Sequence, residues 1–237
     1  MKKKLSIFLC VLMLLVMSSS FVFAENSAHE TATAPIQTSD PSEKFITFCD
    51  EYFADHTSYQ IINEKERDIS ESFYTENVDN YRISNISAIW EYAKQNVMCF
   101  SKVTTIDVEP QTRGSYITKN ISQWFYYLNG TGGAYTPSYE IQYTLAGSFV
   151  YNYNTGIISS YSGPTITLNW CSLNGVWSAS MINATTRGVI AANKYSVTFT
   201  GNFKLKSLCS IPIGGLTIPG FTETFGPYYA TLVGTPD

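Results

Sequence analysis

The stretch Tyr139–Tyr153, YEIQYTLAGSFVYNY, alternates with a period of two: Tyr139, Ile141, Tyr143, Leu145, Gly147, Phe149, Tyr151 and Tyr153 fall on one side, and Glu140, Gln142, Thr144, Ala146, Ser148, Val150 and Asn152 on the other. Successive side chains of a β-strand point to opposite faces, so the pattern predicts a long strand with one apolar face and one largely polar face. Tyr195–Leu205 repeats it, with Tyr195, Val197, Phe199, Gly201, Phe203 and Leu205 alternating with Ser196, Thr198, Thr200, Asn202 and Lys204. Each stretch carries a glycine in mid-strand on its apolar face, Gly147 and Gly201, which predicts a bend, a bulge or a close backbone approach.

Strand signals surround these two. Tyr116–Leu128 runs into the turn pair Asn129-Gly130, and Asn154-Thr155-Gly156 turns the chain after Tyr153. Ile157–Tyr161 is broken by Gly163-Pro164 before Thr165–Trp170 resumes. Asn174-Gly175 precedes Trp177–Met181, Ile211–Gly220 reads as a Pro- and Gly-rich loop, and Phe221–Phe225 with Tyr228–Val233 close the chain. Short strands with closely spaced turns predict an antiparallel β-sandwich or barrel over residues 114–237.

The preceding segment has helical periodicity instead. Asp40 is a good N-cap, with Pro41 in the first turn and Glu43 three residues on, and Phe45, Ile46, Cys49, Tyr52 and Phe53 form one apolar stripe of a helix to about Asp55. Ile86, Ile89, Trp90, Ala93 and Val97 predict a second helix over Ser84–Val97. Between them NEKERDISE (63–71) reads as a solvated turn or short helix, and Val103–Val108 reads as a strand. The fold class expected is therefore α+β: a small, mainly helical unit over 41–110, then the aromatic-rich β domain. Glu109–Gly114, with Pro110 and Gly114, forms the boundary; Arg113 within it also admits proteolytic processing, although a plain linker is the preferred reading.

Met1–Ala24 combines Lys2, Lys3 and Lys4, an apolar run from Leu5 to Met17 and a small-residue close, which is the pattern of a signal peptide cleaved near Ala24. Residues 25–40 then form a polar leader, and the expected location is extracellular. Without Lys2, Lys3 and Lys4 of the signal segment, 12 Lys and Arg stand against 19 Asp and Glu, a net charge of −7, which argues against nucleic acid as a partner. The charge is uneven. Residues 25–113 hold 16 acids and 7 bases, whereas 114–237 hold 3 acids and 5 bases. After cleavage Cys49, Cys99, Cys171 and Cys209 remain, and in an oxidising compartment they are disulfide candidates. Pairing Cys49 with Cys99 and Cys171 with Cys209 respects the charge boundary; four buried thiols are the alternative.

Few catalytic chemistries have the residues they need. The β half contains no histidine; His29 lies in the leader, and His56 follows Asp55 at a helix end, a common position for a favourable charge. Nothing suggests a metal site, a phosphate cradle or a cofactor. Glu140 and Glu223 are candidates for acid and base work, Glu223 because Phe221 and Phe225 would turn it toward a core. Twelve tyrosines after Gly114 exceed what one core needs, and Tyr139, Tyr143, Tyr151 and Tyr153 are candidates for stacking on a ligand.

The leading expectation is a secreted, non-catalytic binding or surface-interaction protein whose partner is a glycan or cell-surface component. One alternative is a membrane-active or pore-forming β protein, since a strand of this length could cross a bilayer. Gly163-Pro164 interrupts its hairpin partner, so membrane contact is not expected. The other alternative is a secreted hydrolase using paired carboxylates.

Overall fold

A computed structural model describes residues 40–108, 115–129, 139–173, 177–213 and 216–236. The expected signal peptide, nearly all of the expected leader, the expected 109–114 boundary and the expected Asn174-Gly175 turn lie outside the described residues. Among the described residues three α-helices, α1 (Glu43–Ala54), α2 (Ser70–Arg82) and α3 (Ile86–Asn96), accompany eight strands. β1 (Tyr59–Ile62), β2 (Cys99–Val108), β3 (Tyr116–Asn129), β4 (Tyr139–Asn152) and β5 (Ile158–Leu173) form sheet A in that order, every pair antiparallel. β6 (Trp177–Ile190), β7 (Val197–Ile213) and β8 (Leu216–Gly234) form the antiparallel sheet B. The fold is α+β, with most of the described residues in strands.

The alternation in β4 sorts its side chains as expected. Ile141, Tyr143, Leu145, Phe149 and Tyr151 are all buried, and they share one core with Val197, Phe199, Phe203 and Leu205 of sheet B. Both mid-strand glycines lie at that junction. A Cβ on Gly147 would stand 2.5 Å from the Phe199 ring, and one on Gly201 would stand 3.1 Å from Ile166 and 3.2 Å from Leu145. The glycines thus let the backbone of one sheet approach side chains of the other.

Sheet A is also covered on its opposite face, at one end only. Phe45, Phe48 and Tyr52 of α1, Phe73 of α2 and Ile89 and Trp90 of α3 pack on Phe100 of β2 and on Tyr126 and Leu128 of β3. The helix that opens this layer is capped by Ser42, whose Oγ accepts from Phe45 N at 3.1 Å, two residues later than the Asp40 start expected from sequence. Burying a large aromatic side chain contributes about 1.5–3 kcal/mol, so this aromatic cluster fastens the helices far more strongly than the three exposed or half-exposed ion pairs, Arg82–Asp79, Lys94–Glu91 and Lys102–Asp55.

Several sequence expectations need correction. Gly163-Pro164 does not end a strand: β5 continues through it because its one extra residue is absorbed in a bulge, with Ala146 opposite Thr165 and Ser148 opposite Ser162. Of the expected loop at 211–220, residues 211–213 and 216–220 are strand, with Ile211 paired to Ile218 and Ser210 to Pro219, and residues 214–215 lie outside the described residues. Helix α2 extends well past the charged run. Of the two readings of Cys49 and Cys99, the bridge is absent and the buried thiols are present, because Cys49 of α1 lies in the helical core whereas Cys99 faces the core between the sheets. Cys171 is likewise a free thiol, and the side chain of Cys209 lies outside the described residues.

Candidate functional site

Beyond the end of the helical layer, the outer face of sheet A is left uncovered among the described residues. Its side chains come from alternate positions of four neighbouring strands, so the register arranges them in rows. One row runs Thr104, Ser122, Ala146 and Thr165, and the next Ile106, Asn120, Ser148 and Ser162. Together they line a trough of about 360 Å³. The bulge that carries Gly147 past Gly163 shapes its floor: a Cβ on Gly163 would come within 3.4 Å of the Gly147 Cα, and the Gly163 φ of +82° is one that side-chain-bearing residues rarely adopt.

The lining has a definite chemistry. Hydroxyls of Thr104, Ser122, Ser148, Ser162 and Thr165 and the amide of Asn120 supply both donors and acceptors. Ile106, 60% exposed, gives an apolar margin. No ionisable side chain lines the trough. One row nearer the helices, Asn169 Nδ2 donates to Thr144 Oγ1 at 2.7 Å, so the polar surface continues toward Trp124, which packs against the helical core.

Glu140 occupies the same outer face at its covered end. Ser42 Oγ donates to Glu140 Oε2 at 2.8 Å, and the buried Tyr126 hydroxyl donates to the same oxygen. Burial raises the carboxyl above its usual range, while the hydrogen bonds from Tyr126 and Ser42 pull it back. Because Ser42 also caps α1, this carboxylate joins the start of the helical layer to β4, a structural role.

Glu223 is placed elsewhere. It is half-buried opposite Ser207 on the side of sheet B that faces the inter-sheet core, as its alternation with Phe225 led one to expect. Glu140 points away from that core, so sheet A stands between the two carboxylates and they share no cleft. His56 and Asp55 do not pair either. The imidazole lies flat on Tyr74 at 3.8 Å between ring centres, while Asp55 accepts from Ser58 at 2.6 Å and approaches Lys102 at 3.6 Å.

The tyrosine candidates also divide. Tyr143 is fully buried, stacked on Phe125, with its hydroxyl donating to the Tyr229 carbonyl at 2.9 Å. Tyr151 is buried as well, and both are core residues. Tyr153, 70% exposed, projects beyond the strand end, and the side chain of Tyr139 lies outside the described residues. Burial pushes the Cys49 thiol up to about 12 and the Cys171 thiol up to about 11, which leaves both poor nucleophiles. Among the described residues no three His, Cys, Asp or Glu side chains gather closely enough to hold a metal ion.

Comparisons of the chain with family models, curated proteins and solved structures find no match. The trough residues themselves did not stand out in the sequence, although Ser, Thr and Asn recur at alternate positions of several strands. That repetition acquires meaning only once register places the strands side by side.

Proposed function

We propose that the protein is a secreted, non-catalytic binding protein whose two antiparallel sheets form a sandwich, and that the open trough on sheet A holds a neutral, hydroxyl-bearing ligand such as a short glycan segment. The observation that carries this reading is the lining: hydroxyl and amide groups in two rows across four strands, an apolar margin at Ile106, and no charge. Uncharged hydroxyls exchange hydrogen bonds with Ser, Thr and Asn in both directions, whereas an anionic or cationic ligand would enter such a site without a counter-charge. At about 360 Å³ the trough falls at the small end of the range of roughly 300–1,000 Å³ for small-molecule sites. Glu140 and Glu223, the two carboxylates considered for acid and base work, lie on opposite sides of sheet A, so that pair lends no support to cleavage.

The test is a panel of neutral and charged polysaccharides presented to the mature chain and to Ala146→Trp, which fills the trough from its centre. Retention on a neutral glycan, weakened at least about tenfold by the substitution (about 1.4 kcal/mol), supports the proposal. Equal binding by both proteins, or retention only on charged polymers, contradicts it.

A further inference from the structure

Charge is segregated between the two ends of the fold. Over residues 40–102, which supply the helices and β1, twelve Asp and Glu accompany six Lys and Arg. Over residues 177–236, which supply sheet B, a single acid, Glu223, accompanies Arg187, Lys194, Lys204 and Lys206. The strand register fixes where these charges point. Phe203, Leu205 and Ser207 are buried toward sheet A, so Lys204 and Lys206 project from the outer face of β7, about 7 Å apart. Arg187 stands on that same face opposite the exposed Thr200. Glu223 faces the inter-sheet core instead, so among the described residues no carboxylate shares the outer face of sheet B. Tyr229, 64% exposed opposite Asn202, lies with Val189 and Val233 among the cations.

The helical layer is the complement. Glu43, Glu64, Glu66, Glu71 and Glu76 are all exposed, and the ion pairs found at this end involve other acids. The helices cover the face of sheet A turned away from sheet B. The acidic and the basic surfaces are therefore on opposite sides of the molecule.

We propose that the outer face of sheet B docks on the acidic helical layer of a second copy of this chain. The two surfaces differ, so the contact is head to tail, each added copy still presents one free surface of each sign, and the assembly is open-ended. The cations steer and register the encounter, and Tyr229, Val189 and Val233 supply apolar surface that is buried on contact. External polyanions are the rival occupants. They would have to approach a molecule of net negative charge, whereas a second copy carries a matching acidic surface of its own.

Light-scattering mass is to be measured over a concentration series of the mature chain at about 0.01 M and about 1 M salt, between which the screening length falls from about 30 Å to about 3 Å. The expected result is a mass that grows with concentration at low salt, a growth lost at high salt, and monomers at both salts for Lys204→Glu/Lys206→Glu and for Glu71→Lys/Glu76→Lys. Mixing the two variants restores association, because the reversed faces now match each other. All four positions lie on exposed or half-exposed surface, so urea midpoints close to wild type verify that the variants fold. A monomer under every condition, or association indifferent to either reversal, overturns the proposal. A monomer retained on polyphosphate through Lys204 and Lys206 likewise overturns it and assigns the face to an external polyanion.

Discussion

Replacing Gly147 with alanine tests how tightly the two sheets meet. The added methyl would stand 2.5 Å from Cε2 of Phe199 and 2.7 Å from its Cδ2, so the ring must retreat by the better part of an ångström. Two effects oppose each other. Gly147 does not adopt a positive φ, so alanine would ordinarily stabilise the fold by about 0.4–1 kcal/mol by restricting the unfolded chain. Overpacking a filled core costs about 1–3 kcal/mol, and here the larger effect wins, because Phe199 is fully buried and also meets Tyr161 at 5.9 Å. The expected outcome is a net loss of about 1–2 kcal/mol, read as a lower urea midpoint with unchanged slope. In a chain of this size that lowers the melting temperature by roughly 2–8 °C. The control is Phe199→Leu, which opens room opposite the glycine: in the double variant the alanine should cost at least about 1 kcal/mol less than in wild type. Costs that add to within about 0.3–0.5 kcal/mol would refute the reasoning, since they would mean that Gly147 and Phe199 do not touch.

Other predictions follow from the same geometry. Tyr126→Phe removes one of two donors to the Glu140 carboxylate, so it should cost about 1.5–3 kcal/mol at neutral pH, and Ser42→Ala should lose both the second donor and the α1 cap; urea titrations check both. Burial raises the Glu140 carboxyl above its ordinary value of 4.5, so its favourable contribution to folding is complete below that value and is lost as pH climbs through the folded value. Glu140→Gln should accordingly flatten that part of the stability profile, and an unchanged profile would contradict the assignment. Cys49, Cys99 and Cys171 should all be alkylated in protein denatured without reductant, and reductant should leave the melting temperature unchanged; protection of any of the three from alkylation would show a bridge.

The face assignment of β4 was legible because a period of two needs only local sequence, and each of Ile141, Tyr143, Leu145, Phe149 and Tyr151 is buried as the alternation predicts. What covers the other face was not legible, because the helices reach it from residues about a hundred positions away, as the contact between Ser42 and Glu140 illustrates. A signal was nevertheless present. Trp124-Phe125-Tyr126-Tyr127-Leu128 is apolar at consecutive positions, the mark of a strand buried on both sides, and Tyr126 and Phe125 do face opposite cores. Strand lengths were underestimated for a related reason: glycine and proline weaken a strand locally, yet pairing with β4 and β7 carries β5 and β8 through Gly163-Pro164 and Gly226-Pro227 as bulges. The four cysteines suggested bridges because spacing and compartment say nothing about which face of a sheet each sulfur occupies. Tyrosine density overstated the ligand surface, since Tyr143 and Tyr151 serve the core. The trough is a product of register across four strands, a non-local property to which each strand adds only two or three small polar residues.

The most direct test of the proposed binding is an amide chemical-shift titration of the isotope-labelled chain from Glu25 onward with the neutral glycan that it retains best. The account predicts saturable shifts confined to the trough, at Thr104, Asn120, Ser122, Ser148, Ser162 and Thr165, with Tyr153 and the outer face of sheet B unmoved. Shifts centred on Tyr153 or on sheet B, with the trough silent, would contradict it.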